Sequence, residues 1–576
     1  MRFDITLAAI AAVALGACGS DPDRADAVSD TTPSDASATV VDSASADTAV
    51  DTSVSDAEDT RADDTNALDS RSDDTTADDT MVNDTLVDDT LVDDTSVDDT
   101  TVDDTTVDDT SVADTTPVAC PTTLAVTAGS AGTLLRGLVV LEREAFVGEV
   151  LVQGHLITCV DVSCASAPGA AAATIVDTAG LIFPGLVDTH DHVLFDAFDH
   201  DDWSPLQPYT NHNQWPNEAR YGALVDAKQY LNGETGGFVS VGCELDKHGE
   251  LQALVSGTTS VVGAANPQNK ACYASLARTI DQSPNGLDQD KIQVATLFPS
   301  SPDAVCANFT SRKTDAYLVH VAEGVGEVAR KEFDDLGCLV APETTIVHGT
   351  ALGPPELDTM AQHSMGLVWS PSNDVHLYGG DVDLTKTANI PYARAAGITV
   401  ALGTGGALWG SHDLLEELRF AQRVDQTVWG AQLSAQDLVA MVTINAARVL
   451  ALDATLGSLT AGKRADITVI AGDCDDPWQA LIDAHASTVR LVMVDGVVLY
   501  GDMALRASAP SGCETIDACG VDKFVCVATT SSSATDKLGQ TLAEIESSLT
   551  TALSDYDALH LSVWSFSPLA PLIVCP

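Results

Sequence analysis

The apolar residues of this chain fall into short runs that predict a strand-rich flank on each side of a long central region. Short apolar runs predict strands at residues 138–141, 149–152 and 156–157. Similar runs predict strands at residues 465–470 and 489–496. Strands and helices alternate between the two flanks, which favours βα units around a parallel sheet. Because about 260 residues of such units fit a TIM (β/α)8 barrel, the predicted fold class is α/β.

Two helices are predicted from local patterns near the end of the chain. Ser434 and Asp437 resemble an N-cap pair, and they predict one helix that continues through Ala447. A second helical stretch is predicted from Leu538 to Leu553, in an extension that also contains several cysteines.

Residues 19–118 have a different composition, with only one or two apolar side chains in every five residues. From Asp84 to Asp114 the pattern repeats every five residues, and the whole segment holds 30 acidic residues against three arginines. Such a segment cannot build a core, and its like charges repel, so we predict a disordered, extended tether. Fully extended, it would reach at most about 300 Å. A calcium-binding repeat is the alternative, but the pattern lacks the glycines that such turns need.

The formal net charge of -58 excludes a nucleic-acid-binding protein, which would carry a basic patch. The remainder of the chain has the apolar content of a folded protein and is long enough to bury a large core.

The N-terminus predicts export as a bacterial lipoprotein. A short basic start precedes an apolar run over residues 5–15, which is too short to span a bilayer as a stable anchor. The run ends in Leu-Gly-Ala-Cys, which resembles a lipobox with Cys18 as the lipidated residue. We therefore expect a lipid anchor in the outer membrane or at the cell surface. An ordinary secretory signal that happens to contain a cysteine is the alternative.

Twelve further cysteines in an oxidising compartment predict disulfide bonds. The best candidates are Cys159, Cys164, Cys513, Cys519, Cys526 and Cys575, although their pairing cannot be read from the sequence. No Cys-x-x-Cys occurs, so a structural zinc site of that kind is not expected.

Histidines and one glutamate follow three apolar runs of the central region. His190 and His192 end the first run, His320 and Glu323 end the second, and His348 ends the third. Alternate residues of a strand point to the same side, and the chemistry of a barrel gathers at the C-terminal ends of its strands. A His-x-His alone is a weak signal, but the three strand ends would converge if the strands form one barrel.

These motifs together resemble the amidohydrolase superfamily, and within it the mononuclear deaminase and chlorohydrolase branch. The resemblance covers about residues 134–503. The matching segments are Pro-Gly-Leu-Val-Asp-Thr-His-x-His from Pro184, Ser-Gly-Thr-Thr from Ser256, Trp-Ser-Pro-Ser-Asn from Trp369, Asn-Ala-Ala from Asn445 and Gly-Lys-x-Ala-Asp from Gly462. It implies that the flanking strands form a small composite β-sandwich beside the barrel.

The resemblance also implies a site and a reaction. His190, His192 and His320 would bind one divalent ion, zinc or iron, which would lower the pKa of its water toward about 7. Glu323 would shuttle a proton to the substrate, and His348 would polarise the water or the electrophilic centre. The expected reaction is hydrolysis of a non-peptide carbon–nitrogen bond in a small molecule, as in a deaminase or a cyclic amidase. No lysine is suitably placed for a carbamylated bridge between two ions.

One position departs from the family pattern. The family ends its last metal-binding strand with an aspartate that binds the ion and accepts a proton, and here Gly405 stands at that place. Losing a general base typically costs about 10²- to 10⁴-fold in rate. Asp374 or Asp413 could substitute, with His412 as an added ligand. The alternative function is a catalytically impaired surface protein that binds a ligand or partner on the same fold.

The predicted organisation has six parts. They are a signal peptide at 1–18, the tether at 19–118, β-sandwich segments at 119–183 and 453–505, the hydrolase barrel at 184–452, and a C-terminal extension at 506–576 without an assigned role.

Overall fold

The computed structural model describes most of the chain beyond the acidic segment. The described residues are 120–235, 239–263, 276–282, 287, 291–295, 299, 301–528 and 539–576. The predicted signal peptide with Cys18 and the predicted tether at 19–118 lie outside them. Within the described ranges, no helix is both long and apolar enough to cross a membrane.

The first flank forms five strands, and these include the three predicted ones. The strands are β1 (Leu124–Thr127), β2 (Thr133–Val140), β3 (Ala145–Gln153), β4 (Leu156–Asp161) and β5 (Thr174–Pro184). Strands β2 and β3 pair antiparallel along their whole length. Leu135 of β2 lies in the core, while exposed Arg136 donates to Glu149 at 2.9 Å.

Eight short strands follow in the described part of the central region. They are β6 (Leu186–Asp188), β7 (Thr258–Val261), β8 (Arg278–Thr279), β9 (Ile292–Ala295), β10 (Ala316–Val321), β11 (Thr344–His348), β12 (Gly366–Trp369) and β13 (Thr399–Leu402). Strands β6 to β8 and β9 to β13 each pair in chain order, and every pairing is parallel. Thr189 donates its backbone N–H to Leu402 O at 3.4 Å, which connects the first strand to the last. The predicted TIM barrel is confirmed.

Helices alternate with these strands. They are α1 (Ala219–Asn232), α2 (Gly242–Val255), α3 (Pro302–Thr310), α4 (Glu327–Arg330), α5 (Pro354–Gln362), α6 (Pro371–Asp374), α7 (Ile390–Ala395), α8 (Leu414–Val424), α9 (Ala435–Met441) and α10 (Ile444–Val449). Helix α8 shows why they pack: Leu414, Leu418 and Ala421 recur at helical spacing and are all buried.

The helix predicted from Ser434 through Ala447 is two helices. Ser434 and Asp437 form the expected capping box at the start of α9. The helix then breaks at Thr443, whose hydroxyl donates to Val439 O at 2.7 Å and competes with the backbone ladder. Helix α10 restarts there, and Asn445 donates its side-chain amide to Val400 O in β13 at 3.1 Å. Contact with the barrel therefore overrides the helical pattern.

The second flank completes the β-structure that the first flank began. Its elements are β14 (Ile467–Ile470), α11 (Pro477–Ile482), β15 (Val489–Val494), β16 (Val497–Asp502), β17 (Glu514–Asp517), β18 (Asp522–Val525) and α12 (Leu542–Ala558). Strand β14 pairs antiparallel with β5, so ten strands from both flanks are hydrogen-bonded in one composite layer. Because only Gly185 separates β5 from β6, this layer fixes the entry of the first barrel strand.

The C-terminal extension connects the composite layer to the barrel. Strands β17 and β18 extend the layer beyond β16. Helix α12 begins at Leu542, where Thr541 and Glu544 form a capping box, and continues to Ala558, past the predicted end at Leu553. The tail then returns to the barrel, where Ala570 donates its N–H to Ala197 O at 3.1 Å.

Disulfide bonds link several of these parts. The structure contains Cys120–Cys474, Cys159–Cys164, Cys306–Cys338, Cys513–Cys526 and Cys519–Cys575. All six cysteines predicted to be the best candidates are therefore paired.

Candidate metal centre

Three histidine side chains converge at the C-terminal ends of two barrel strands. His190 and His192 follow β6, and His320 lies in β10. The Nε2 atom of His190 lies 3.3 Å from Nε2 of His192 and 3.0 Å from Nε2 of His320. Because the first and fifth strands bring these rings together, the predicted convergence across the barrel is present in the structure.

Neighbouring groups turn two of these rings toward the common point. Nδ1 of His190 lies 2.8 Å from the Ser370 hydroxyl, and Nδ1 of His320 lies 3.2 Å from Ala295 O. A proton on each Nδ1 satisfies these contacts and leaves Nε2 as the free electron-pair donor. Such outer partners commonly fix the ring orientation of a metal-binding histidine.

Burial keeps the three imidazoles neutral at pH 7. Burial lowers the pKa of His190 and of His320, and the positive charge of the neighbouring His348 lowers it further. Burial also lowers the pKa of His192 to about 4. A neutral imidazole has the lone pair that a cation requires.

The three histidines fit a divalent metal ion. One ligand nitrogen from each residue lies within 4.8 Å of the other two. Imidazole nitrogen is a ligand type that suits zinc and iron, and three protein ligands with an open position are typical of catalytic zinc sites. Among the described residues, no other group of three histidine, cysteine or acidic side chains brings its ligand atoms this close together.

His348 stands next to the trio at the end of β11. Its ring centre lies 4.8 Å from that of His190, and its backbone φ of 69° is unusual for a residue other than glycine. Nδ1 of His348 contacts Asp374 Oδ1 at 2.9 Å. Burial would lower the pKa of His348, but the negative charges of Glu323 and Asp374 raise it. The ring is therefore held as a hydrogen-bond donor toward the cavity.

Glu323 has partners for both carboxylate oxygens. Oε1 accepts from the Tyr378 hydroxyl at 3.0 Å and lies 3.7 Å from His348 Nε2. Oε2 lies 3.1 Å from His212 Nδ1. Burial would raise the pKa of this carboxyl, but His348 and His212 lower it, so Glu323 is ionised at neutral pH. It can therefore accept a proton at the start of a reaction.

Gly405 lies beside the first metal-binding histidine and leaves no room for a side chain. Its N–H donates to His190 O at 2.8 Å, and its φ is 77°. A Cβ atom at this position would lie 2.5 Å from Nδ2 and 3.0 Å from Cβ of Asn373. The buried Asn373 amide thus occupies the space next to Gly405, and its Oδ1 has no partner among the described residues.

The acids proposed as substitutes for the missing aspartate have other partners. Asp374 binds His348 through Oδ1 and accepts from the Thr387 hydroxyl through Oδ2 at 2.8 Å. Asp413 caps helix α8 by accepting from Glu416 N at 2.9 Å. The nearby His412 directs Nε2 to Pro571 O in the C-terminal tail, at 2.8 Å. None of these three joins the histidine trio in the structure.

Several residues of the site carried no role in the sequence interpretation. They are His212, Glu332, Ser370, Asn373 and Tyr378. His212 lies in the loop that follows His192. Its position 20 residues after His192 in an irregular loop gave no periodic pattern to follow. Tyr378 was missed as well, because it lies in the π-helical turn Val375–Gly379 after α6 rather than at the end of a strand.

Aromatic rings line the same end of the barrel. Trp409 packs edge-on against His192, with ring centres 4.8 Å apart, and against Phe195 at 5.0 Å. Trp215 lies 6.1 Å from Tyr378. Such surfaces favour a flat, apolar ligand with a few polar atoms.

Comparisons with known proteins agree with this geometry. A sequence model described as the amidohydrolase family matches residues 181–499. The chain is 28% identical to a 5'-deoxyadenosine deaminase of Methanothermobacter thermautotrophicus over 62% of this chain and 90% of that protein. It is 28% identical to a 5-methylthioadenosine/S-adenosylhomocysteine deaminase of Desulfitobacterium hafniense over 56% of this chain and 82% of that protein.

A solved structure shares the fold. A zinc-bound adenosine deaminase from Xanthomonas campestris is 19% identical and covers 65% of this chain and 93% of its own, with a TM-score of 0.50. At that identity the likeness supports the barrel and its composite β-layer, and the site rests on the distances given above.

Proposed function

The chain belongs to the amidohydrolase family, and we propose that it deaminates an adenine nucleoside or a similar aminated heterocycle by metal-dependent hydrolysis. This function breaks a non-peptide carbon–nitrogen bond, as the enzymes of the matched relatives do by name. The observation that carries the proposal is the convergence of three histidine Nε2 atoms beside Glu323 and His348. The aromatic rings around the site suit a flat heterocycle.

His190, His192 and His320 would hold one divalent ion, for which zinc is our first choice. A zinc ion in such a site supplies a water molecule whose pKa is lowered to about 7. His190 and His320 would bind the ion through Nε2, because their Nδ1 atoms contact Ser370 and Ala295 O.

Glu323 would act as both base and acid. It starts ionised, so it can accept a proton from the attacking water and pass it to the substrate nitrogen. His348, oriented by Asp374, would donate a hydrogen bond to the oxygen that adds to the ring. In the family pattern, one acid accepts the proton of the water and another passes a proton to the substrate. Because Gly405 offers no carboxylate, Glu323 would carry out both proton transfers.

A substrate panel tests this function. Zinc-loaded protein should release ammonia from adenosine, 5'-deoxyadenosine or 5-methylthioadenosine, and not from dipeptides. Glu323→Gln should lower kcat by about 10²- to 10⁴-fold while the bound metal remains. Asp425→Asn is the matched control, because Asp425 is a buried acid that accepts from Gln432 and Leu433 away from the site.

Two results would contradict the proposal. One is the absence of ammonia release from every aminated heterocycle in the panel by fully metal-loaded protein. The other is an equal loss of kcat in Asp425→Asn and Glu323→Gln. Tight binding of a panel compound without turnover would favour the alternative of an impaired, ligand-binding surface protein.

We also propose that the protein is exported and lipid-anchored through Cys18, with residues 19–118 as a tether that holds the enzyme away from the membrane. The disulfides between described residues support an oxidising compartment, where such bonds persist. Cys18→Ser should move the protein from the membrane fraction to the soluble fraction. Unchanged fractionation and no palmitate labelling of the natural chain would refute the anchor.

A further inference from the structure

Two loops at the open end of the barrel surround His192. The β6 loop (residues 189–198) contains this histidine, and Phe195 in the same loop donates its N–H to His192 O at 2.6 Å. The β13 loop (residues 403–413) carries Trp409, whose ring centre lies 4.8 Å from that of the imidazole. A change in the position of either loop would therefore change the surroundings of a residue that binds the ion.

Two consecutive residues of the C-terminal tail (residues 559–576) contact both loops. Ala570 donates its N–H to Ala197 O in the β6 loop at 3.1 Å. Pro571 O lies 2.8 Å from Nε2 of His412 in the β13 loop. Because a carbonyl oxygen only accepts hydrogen bonds, Nε2 of His412 carries the proton of this contact. The tail thus connects two loops that are far apart in the sequence.

A buried aromatic contact supports the same connection. Phe566 of the tail packs edge-on against Phe198 of the β6 loop, with ring centres 6.1 Å apart, and both side chains are fully buried. Phe198 donates its N–H to Phe195 O at 2.9 Å, which continues the hydrogen-bonded turn that begins at His192. The tail is therefore linked to His192 through two packed rings and short backbone hydrogen bonds.

The tail is fixed to the rest of the fold on both sides of these contacts. Before it, Tyr556 of α12 donates its hydroxyl to Ala223 O in α1 at 3.4 Å. After them, Leu572 is 7% exposed, and Cys575 forms a disulfide with Cys519 between strands β17 and β18. A segment that is held at both ends can restrain the two loops that it contacts.

We propose that Phe566, Ala570 and Pro571 are positioning residues of the metal centre, which hold the β6 and β13 loops together and so slow the release of the ion. This inference rests on the metal site of the proposed function. An ion leaves only after its histidine ligands move away from it. Contacts that oppose local opening of a loop make that movement rarer.

Zinc release from matched variants tests the proposal. Phe566→Ala should release zinc to a chelator at pH 7 about tenfold faster than the natural protein, because it removes the buried contact with Phe198. Phe309→Ala is the control, since Phe309 is a buried ring of the same size in α3, where it packs against Tyr317 at 6.0 Å. This control should release zinc at the natural rate.

Cobalt-loaded protein gives a second readout that a general loss of stability would not change. The visible absorption of bound cobalt reports the geometry of its ligands. Phe566→Ala should change this spectrum, while Phe566→Leu, which retains apolar bulk against Phe198, should restore much of it. Phe309→Ala should have the spectrum of the natural protein.

A natural rate of zinc release and an unchanged cobalt spectrum in Phe566→Ala would overturn the proposal. An equal acceleration of zinc release in Phe309→Ala would overturn it as well, because the effect would then come from lost stability alone.

If Phe566→Ala fails to fold, His412→Phe decides the question. This variant retains a ring but removes the N–H that Pro571 O accepts, so it should release zinc about threefold faster. His412→Gln retains a donor and should release zinc close to the natural rate. His376→Phe is the control, because His376 contacts Asp381 at 2.9 Å rather than the tail. A natural rate in His412→Phe would reject the role of the tail.

These readouts do not require turnover, so they separate this proposal from the proposed function. Faster zinc release in Phe566→Ala, from a protein that deaminates no compound of the panel, would support the tail's role and contradict the deaminase. Deamination by a protein whose zinc release is unaffected in Phe566→Ala and His412→Phe would do the reverse.

Discussion

At the scale of single residues, Gly405 and Asn373 decide how the family's missing acid is accommodated. Gly405 has a left-handed backbone, and the Asn373 amide fills the space that its side chain would need. Replacing Gly405 by aspartate alone therefore does not restore the family's arrangement, because Asn373 occupies the space. The acid can enter only if the amide moves, and both the strain and the collision oppose it.

We predict that Gly405→Asp lowers the free energy of unfolding by about 2–4 kcal/mol, from backbone strain and the contact with Asn373 together. Gly430→Asp is the control, because Gly430 has φ 75° and nothing within 4 Å of its would-be Cβ. It should lose only about 1 kcal/mol. Urea unfolding of both variants measures the difference.

The double variant Gly405→Asp, Asn373→Ala should recover most of the stability lost in Gly405→Asp, and it should bind zinc more tightly than the natural protein. Equal unfolding free energies for Gly405→Asp and Gly430→Asp would show that Asn373 does not block the site.

The sequence predicted that the three histidines converge, because they end apolar strands, where direction and face are fixed by period-two geometry. It could not predict that Asn373 lies against Gly405 or that Asp374 turns toward His348. Those contacts depend on how α6 leaves β12, and one irregular turn changes the direction of every side chain in it. His212 was missed because it lies in an irregular loop, where no periodic pattern fixes the direction of a side chain.

At the scale of elements, a buried ion pair joins the barrel to the composite layer. Arg278 in β8 donates to Asp466, next to β14, and contacts Asp495 at 3.3 Å. The Arg278 and Asp466 side chains are only 2% and 5% exposed. Strand β8 is only two residues long. We therefore expect the ion pair of Arg278 with Asp466 to stabilise its position.

Arg278→Leu should lower the free energy of unfolding by about 3–5 kcal/mol, because it leaves a buried carboxylate without its partner. Arg136→Leu is the control, since Arg136 is 44% exposed in its pair with Glu149. Exposed pairs contribute about 0–1 kcal/mol. Thermal and urea unfolding measure both, and a loss in Arg278→Leu no larger than in Arg136→Leu would refute a structural role for the pair.

Strand prediction located β2 and β3, although both strands are longer than the predicted four-residue runs. Helix prediction failed where contact with the barrel interrupts the helix. The capping box at Ser434 was correct, but the break at Thr443 was not visible. The break follows from tertiary contact, because Asn445 must reach β13. A local helical pattern does not show that Asn445 has to lie next to β13.

At the scale of the whole molecule, the C-terminal extension and the disulfides connect distant parts of the chain. Phe566 packs against Phe198, with ring centres 6.1 Å apart, so the tail supports the loop that follows His192. Cys120–Cys474 spans 354 residues, whereas Cys159–Cys164 spans five. The sequence indicated which cysteines of the tail would form disulfides but assigned the extension no role, because its contacts with the barrel join residues far apart in the chain.

Replacing Cys120 and Cys474 together by serine should cost up to about 5 kcal/mol of stability, against about 2 kcal/mol for the Cys159 and Cys164 pair. The difference arises because the longer closed loop restricts the unfolded chain more. Unfolding in urea without reductant measures both. Equal losses would show that the long bridge adds no constraint beyond that of the short one.

The central claim is that His190, His192 and His320 together hold a divalent ion, and metal content tests it most directly. Natural protein loaded with zinc and dialysed should retain about one equivalent by mass spectrometry. His190→Ala should retain almost none, while the control His376→Ala should match the natural protein. A folded His190→Ala variant that retains as much zinc as the natural protein would contradict the account.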